Sequence, residues 1–156
     1  MGMQVVVTCV RALSVAALVV ALGCSKPPPT IVTLKPAEMH PTGRFTVGRD
    51  GGVTFWSNGE LKSEIHAEKG PIAIAVRGWG NTVAGEPPQI LFDIDGRIVG
   101  RIDVDSQELA EYTVSAKVRK TGEHRLRVLF VNHLAQEPIL AGRNLYIESV
   151  SVSQGG

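Results

Sequence analysis

From Thr30 onward the chain alternates apolar and polar residues in short runs, with turn-forming residues between them. Successive side chains of an extended strand point to opposite faces, so a period of two predicts half-buried strands. Ile31–Leu34, Phe45–Val47 and Val53–Ser57 are the first three. Glu60–Ala67 sets Leu61, Ile65 and Ala67 on one face, and Pro71–Arg77 sets Ile72, Ile74 and Val76 against small Ala73 and Ala75. Ile90–Asp95 is followed by Arg97–Val104, which carries Ile98, Ile102 and Val104. Tyr112, Val114 and Val118 mark another strand, and Leu126, Val128 and Phe130 the next. Leu145 and Ile147 open the last, but Val150 and Val152 have the opposite parity. A bulge near Ser149 restores a single buried face.

Asn58-Gly59 and Asp95-Gly96 read as tight hairpin turns, because both residues of each pair tolerate positive φ. Thr121-Gly122 is a further turn. No segment beyond residue 30 sustains helical periodicity, and Ser106–Ala110 has room for one turn at most. About nine short strands at regular spacing predict an all-β fold, an antiparallel, jelly-roll-like β-sandwich. Two connections are long for such a fold: Gly78–Gln89 and Asn132–Arg143. Long loops on a rigid scaffold are where binding is usually placed.

The start of the chain has a different character. Arg11 precedes an 11-residue, mostly apolar run, Ala12–Leu22, too short to cross a bilayer comfortably. Ala21-Leu22-Gly23-Cys24 resembles the bacterial lipobox, whose Cys is acylated and becomes the mature N-terminus. The alternative is an ordinary cleaved signal or an uncleaved anchor. Ser25-Lys26-Pro27-Pro28-Pro29 supports lipidation, since a polar, proline-rich stretch stays extended and holds a domain off a surface. The expected organisation is a signal segment over 1–23, a tether over 24–30 and one sandwich over 31–156. The place is the bacterial cell envelope, with Ser25 resembling an outer-membrane sorting signal if the host is Gram-negative.

Formal charge is +1, and Arg11 is the only charged residue before Cys24. Removing residues 1–23 leaves 15 basic groups against 15 acidic ones. With no net charge and no cluster of Lys and Arg read along the chain, nucleic acid is excluded as a partner. Cys9 falls in the signal segment, so Cys24 is the only thiol left and no internal disulfide can form.

Candidate chemistry is sparse. Asp93, Asp95, Asp103 and Asp105 are paired acids of the kind glycoside hydrolysis needs, but strand spacing and the Asp95 turn make solvated faces the simpler reading. His40, His66, His124 and His133 lack metal-ligand spacing. No nucleophile elbow or phosphate loop is present. The sequence predicts no enzyme.

Five stretches carry a family resemblance: Trp56-Ser57-Asn58-Gly59-Glu60, Ala84-Gly85-Glu86-Pro87-Pro88, Asp95-Gly96, Gly122-Glu123-His124 leading to Val131-Asn132, and Arg143-Asn144-Leu145-Tyr146-Ile147. In order and approximate spacing they resemble the calcium-dependent, xylan-binding type of carbohydrate-binding module, over about Thr54–Val152. That resemblance implies a non-catalytic β-sandwich. It also implies a calcium ion in the last loop, held by an Asp just after the opening Asn and another just before Arg-Asn-Leu. Those positions here are His133 and Gly142. Calcium takes roughly six to eight oxygens, several from carboxylates. Glu137 is the only acid between Asn132 and Arg143, so the expected metal site is weak or absent, with Asn132, Glu137 and Asn144 as the ligands if calcium does bind.

For sugar binding without calcium, Trp79 is the leading candidate. A loop tryptophan offers a flat apolar face to a pyranose ring, or else plugs the end of the sandwich. Asn81, Asn132, His133, Glu137, Arg143 and Asn144 are the polar candidates, with Arg143 and Asn144 equally suited to pinning their loop to the sheet. Trp56, on a strand beside Phe55, reads as core. The expected function is polysaccharide binding by a lipid-anchored envelope module. The alternative is an envelope protein–protein interaction domain on the same fold, its sugar site decayed.

Overall fold

The structure is a computed structural model and describes residues 29–155. The signal segment, Cys24 and most of the tether lie outside the described residues. Ten strands form two antiparallel sheets. The first sheet contains β1 (Thr30–Leu34), β2 (Phe45–Val47), β3 (Val53–Phe55), β5 (Gly70–Gly80), β8 (Ala110–Val118) and β10 (Leu145–Gln154). Its order is β2-β3-β10-β5-β8, with β1 pairing the far half of β10. The second sheet has the order β4-β9-β6-β7, with β4 at Gly59–Ala67, β6 at Gln89–Ile94, β7 at Arg97–Asp103 and β9 at Gly122–Phe130. Two 3-10 turns, Pro36–Glu38 and Ile139–Ala141, are the only helical pieces among the described residues.

The inward faces are those the alternation marks. Leu61, Ile74, Val76, Ile90, Phe92, Leu126 and Leu145 are fully or almost fully buried. Phe55 of the first sheet and Phe130 of the second meet at 6.4 Å across the sandwich. Each such side chain contributes roughly 1.5–3 kcal/mol on burial. Among the described residues, the strands and the core residues all fall within 30–154, and they form one continuous core.

The bulge of the last strand is present. Ile147 pairs with Gly78 and Ser149 with Arg77, leaving Glu148 as the extra residue, and Val150 and Val152 return to the core. A second bulge, where β6 pairs with β7, leaves Val99 extra and turns Ile98 outward, 52% exposed, against its expected core position.

Asn58-Gly59 is not a hairpin turn. It carries the chain from β3 in one sheet to β4 in the other, and neither residue has positive φ. Glycine is needed there for space: a Cβ on Gly59 would lie 2.3 Å from the Thr42 carbonyl oxygen. Asp95-Gly96 does form the expected turn, with φ of 54° and 83°. Asp93, expected on a solvated face, is 3% exposed, and its carboxylate accepts the Gly96 N–H at 3.0 Å.

The sandwich has two distinct ends. The loops 81–88, 104–109 and 131–144 gather at one. At the other, Thr30 pairs with Gln154, and the Gln154 side chain exchanges hydrogen bonds with the backbone of Glu68 (2.8 and 2.6 Å). Thr121 accepts the Lys69 N–H there at 3.0 Å. The chain therefore enters from the tether at the end opposite the long loops.

Candidate ligand-binding site

Trp79 does not stand in a loop. β5 continues through Gly80, so Trp79 is a strand residue pairing with Tyr146. Gly78 and Gly80 disguise this in the sequence, yet both are packing requirements. A Cβ on Gly78 would lie 2.3 Å from the Tyr146 carbonyl oxygen, and one on Gly80 2.4 Å from Pro88. The register lines up Thr46, Thr54, Tyr146 and Trp79 as one outward-facing row across four strands. Trp79 and Tyr146 stack at 5.9 Å with a 36° tilt.

Trp56, expected in the core, stands two residues past Thr54 and is only partly buried on this same outward side. Parity decides it: Val53 and Phe55 point inward, so Thr54 and Trp56 point outward. Its indole N–H donates to the Thr46 hydroxyl at 3.1 Å. Thr54, Trp56, Trp79, Asn81, Leu140 and Tyr146 enclose a groove of about 220 Å³, with Asn144 and Leu145 at its floor. Tyr146 is fixed by its hydroxyl, which donates to Asp50, and it lies over Gly52, where a Cβ would come within 2.6 Å of that hydroxyl. Burial first, and the Asp50 carboxylate second, push the Tyr146 phenol up to about 12, while the same hydrogen bond holds Asp50 below the usual carboxylate range.

The other candidates are mostly turned inward. Arg143 is 5% exposed and ties both long loops together. Its guanidinium donates to the carbonyls of Glu86 (3.0 Å), Asn132 (2.7 Å) and Val83 (2.8 Å) and pairs with the Glu86 carboxylate at 3.1 Å. Only the planar fork of arginine serves so many acceptors at once. Asn132 donates to the Pro87 carbonyl at 2.9 Å and accepts the Gln89 N–H at 2.7 Å. His133 donates from Nδ1 to the Arg143 carbonyl at 2.9 Å, and its backbone N–H reaches the Asn58 side chain at 2.7 Å. Asn81 donates to the carbonyls of Leu140 (3.0 Å) and Gly142 (3.2 Å), holding the last loop against the groove. Glu137 is exposed, beside a cis bond to Pro138. Asn144 is 3% exposed and donates to Ile139, while its Oδ1 is buried without a partner.

The sequence reading missed Trp56 and Tyr146 as groove residues. The signal was available in their parity: each is the outward residue of a strand whose neighbours, Phe55 or Leu145 and Ile147, are core. Larger concavities of about 710 and 300 Å³ lie at the tether end, and a shallow one of about 410 Å³ lies beside Asn58, Gly59 and Phe130; none is bordered by Trp or Tyr.

The sequence of residues 73–156 matches the family model described as Ca-dependent carbohydrate-binding module, xylan-binding. The chain belongs to this family. The module also resembles several solved structures. One is the CBM36-1 domain of a multidomain xylanase from the hindgut metagenome of Trinervitermes trinervoides, at TM-score 0.64 and 20% identity, covering 82% of this chain and 98% of that one. Another is a CBM36 module in complex with calcium and xylotriose, at TM-score 0.61 and 14% identity over 80% of this chain and 99% of that one. A third is the C-terminal CBM6 of a marine laminarinase from Zobellia galactanivorans, at TM-score 0.60 and 12% identity, covering 80% and 100%. At these identities the likeness shows the fold. No curated protein is similar in sequence.

Calcium does not fit the residues of this module. Among the described residues no three His, Cys, Asp or Glu side chains group to hold a metal. The two loop positions where an acid would be expected are His133 and Gly142, and Asn132 has spent both ends of its amide on Gln89 and Pro87. The one orphaned oxygen, Asn144 Oδ1, is neutral and falls far short of a calcium shell.

Proposed function

We propose that this chain is a lipid-anchored, non-catalytic module that holds a xylan-like polysaccharide at the bacterial cell envelope. The groove between Trp56 and Trp79 takes the sugar without calcium. Cys24 carries the lipid, and if the host is Gram-negative the membrane is the outer one. The observation that carries the reading is the outward aromatic row: Trp79 stacked on Tyr146, with Trp56 lining the same groove. Pyranose rings present flat C–H faces that pack on aromatic rings, and the hydroxyls around them need polar partners. Thr54 and Asn81, both partly exposed along the groove, supply polar groups there. The family description supports xylan as the ligand class.

The test is affinity electrophoresis and calorimetry of residues 25–156 with xylan, galactan and peptidoglycan, with calcium and with chelator. Xylan retards the protein equally in both, and Trp79→Ala loses at least about tenfold in affinity, the loss expected from one stacked ring. Absence of retardation by any glycan, or retardation only with calcium, overturns the reading.

A second reading is an envelope protein–protein interaction domain. Leu140 is 68% exposed and Leu134 39%, both on the 131–144 loop, whose polar side chains Asn132, Arg143 and Asn144 are spent internally. Co-purification of an envelope protein that Leu140→Ser abolishes, with no glycan bound, favours this reading instead.

A further inference from the structure

Against the expectation of no basic cluster, Lys117-Val118-Arg119-Lys120 is a short basic run on the β8–β9 crossover between the sheets, and folding brings Arg97 of the β6–β7 hairpin to it at the tether end. Arg97 leaves the β6–β7 turn, and Lys117, Arg119 and Lys120 lie along the end of β8 and its turn. All four are exposed and line a pocket of about 300 Å³ floored by Ile94, Val99 and Val118. None makes an ion pair among the described residues. Two acids nearby, Asp95, which also lines the pocket, and Glu123, each hold a histidine. Asp95 is bound to His124 at 2.6 Å, Glu123 to His66 at 2.8 Å, and Glu64 sits opposite Arg125 in the β4–β9 register. The loop end has the opposite character: Asp105 and Glu108 make no ion pair among the described residues, beside Asp103, which pairs with Arg101 at 3.5 Å, and Glu111, opposite Arg77 in the register. The charges of the domain are thus polarised along its length, basic where the chain enters and acidic at the 104–109 loop.

We propose that this basic pocket docks the module on an anionic bilayer, seating lipid phosphate groups among Arg97, Lys117, Arg119 and Lys120. The choice of a membrane over an acidic glycan comes from position. Thr30 is six residues beyond Cys24, and an extended proline-rich stretch of that length spans about 19 Å. An anchor at Cys24, on which this inference rests for its orientation, therefore keeps the basic end near the bilayer, while the aromatic groove lies toward the other end. Exposed charge acts over about 8–10 Å at physiological salt, so contact requires the pocket itself to approach the headgroups. Docking then fixes the orientation that a flexible tether alone leaves free, and aims the groove outward.

The test uses residues 25–156, which carry the whole core but not Cys24, so that acylation contributes nothing. The protein is sedimented with vesicles rich in phosphatidylglycerol, with pure phosphatidylcholine vesicles, and with the former in the presence of polygalacturonate. Selective recovery with the phosphatidylglycerol vesicles is expected. Each Lys near an anionic surface is worth roughly fivefold in partitioning, so Lys117→Gln with Lys120→Gln reduces recovery by about 25-fold. Lys62→Gln, on exposed β4, leaves it unchanged. Equal recovery on both vesicles, none on either, insensitivity to the double substitution, or displacement by polygalacturonate at matched charge overturns the inference. Xylan binding measured on the same preparations, and acyl labelling of Cys24 in the full chain, report separately on the glycan and anchor readings.

Discussion

At the scale of single residues, His124 is the most constrained titratable group in the molecule. Its side chain is 2% exposed, and both ring nitrogens face acceptors: Nδ1 the Asp95 carboxylate at 2.6 Å, Nε2 the Lys120 carbonyl at 2.9 Å. Two acceptors demand two N–H groups, which only the imidazolium has. The Asp95 hydrogen bond accordingly raises the His124 pKa above 6.5, against burial and the Lys120 charge, and the same bond holds Asp95 below 3.8. A raised His contributes stability that is full below its unfolded value and is lost as pH climbs through the folded one. A depressed Asp contributes above its unfolded value and loses that contribution as pH falls through the folded one. The pair therefore stabilises fully between about 3.8 and 6.5 and less on either side. Asp95→Asn suits the test because Asn tolerates the left-handed turn and its Oδ1 still accepts the Arg125 N–H. We expect the variant to lose about 1–2 kcal/mol near pH 5, the low end for a charge-assisted bond because Asp95 is half exposed. That loss shrinks once His124 is neutral. Urea unfolding at mildly acidic and alkaline pH measures it, and a difference independent of pH would refute the ion pair.

At the scale of elements, the last strand carries the most structure per residue. It pairs with β1, β3 and β5, and its two halves present opposite parities to the core. Glu148 reconciles them, with its carboxylate held by Arg77 at 3.1 Å. Deleting Glu148 slips one half by a residue and turns either Leu145 and Ile147 or Val150 and Val152 to solvent. Two lost buried aliphatics cost about 3–6 kcal/mol, comparable to the whole stability of a domain this size. The deletion is expected to yield no folded protein, whereas Glu148→Ala, which keeps the bulge, should melt within a few degrees of the parent. A deletion variant with native near-ultraviolet circular dichroism would contradict this account. The bulge was legible because burial forces parity, and parity is written in the residues themselves. Asn58-Gly59 was misread for a complementary reason. A dipeptide that suits a hairpin says nothing about whether the next strand joins the same sheet, and here Gly59 answers to Phe55 and Thr42 rather than to its own dihedrals. The ends of β5 failed likewise: glycines that break a pattern on paper allow two backbones to approach in space.

At the scale of the whole molecule, what the sequence hid is everything that depends on which strands are neighbours. Trp56, Trp79 and Tyr146 are 23 and 67 residues apart along the chain, and only the order β3-β10-β5 makes them one surface. The packing of one sheet's edge strand β8 beside the other's edge strand β7 likewise gathers Lys117 and Arg97. The absent acids at 133 and 142, by contrast, were readable directly, and they set the sharpest expectation for a member of a calcium-dependent family. A ligand that binds only the folded state stabilises it by about 2.7 kcal/mol at one hundred times its dissociation constant. For a domain of this length that is on the order of 10 °C in melting temperature. His133 and Gly142 in place of two carboxylates, with Asn132 spent, predict no such rise: millimolar calcium should move the melting point by less than about 1 °C, and chelator should leave it where it was. The measurement is independent of any glycan, so it tests the metal alone. A calcium-dependent rise of several degrees, reversed by chelator, would mean that Asn144 Oδ1 and the loop carbonyls assemble a cation site after all. The sugar would then have to be sought beside that ion rather than in the aromatic groove.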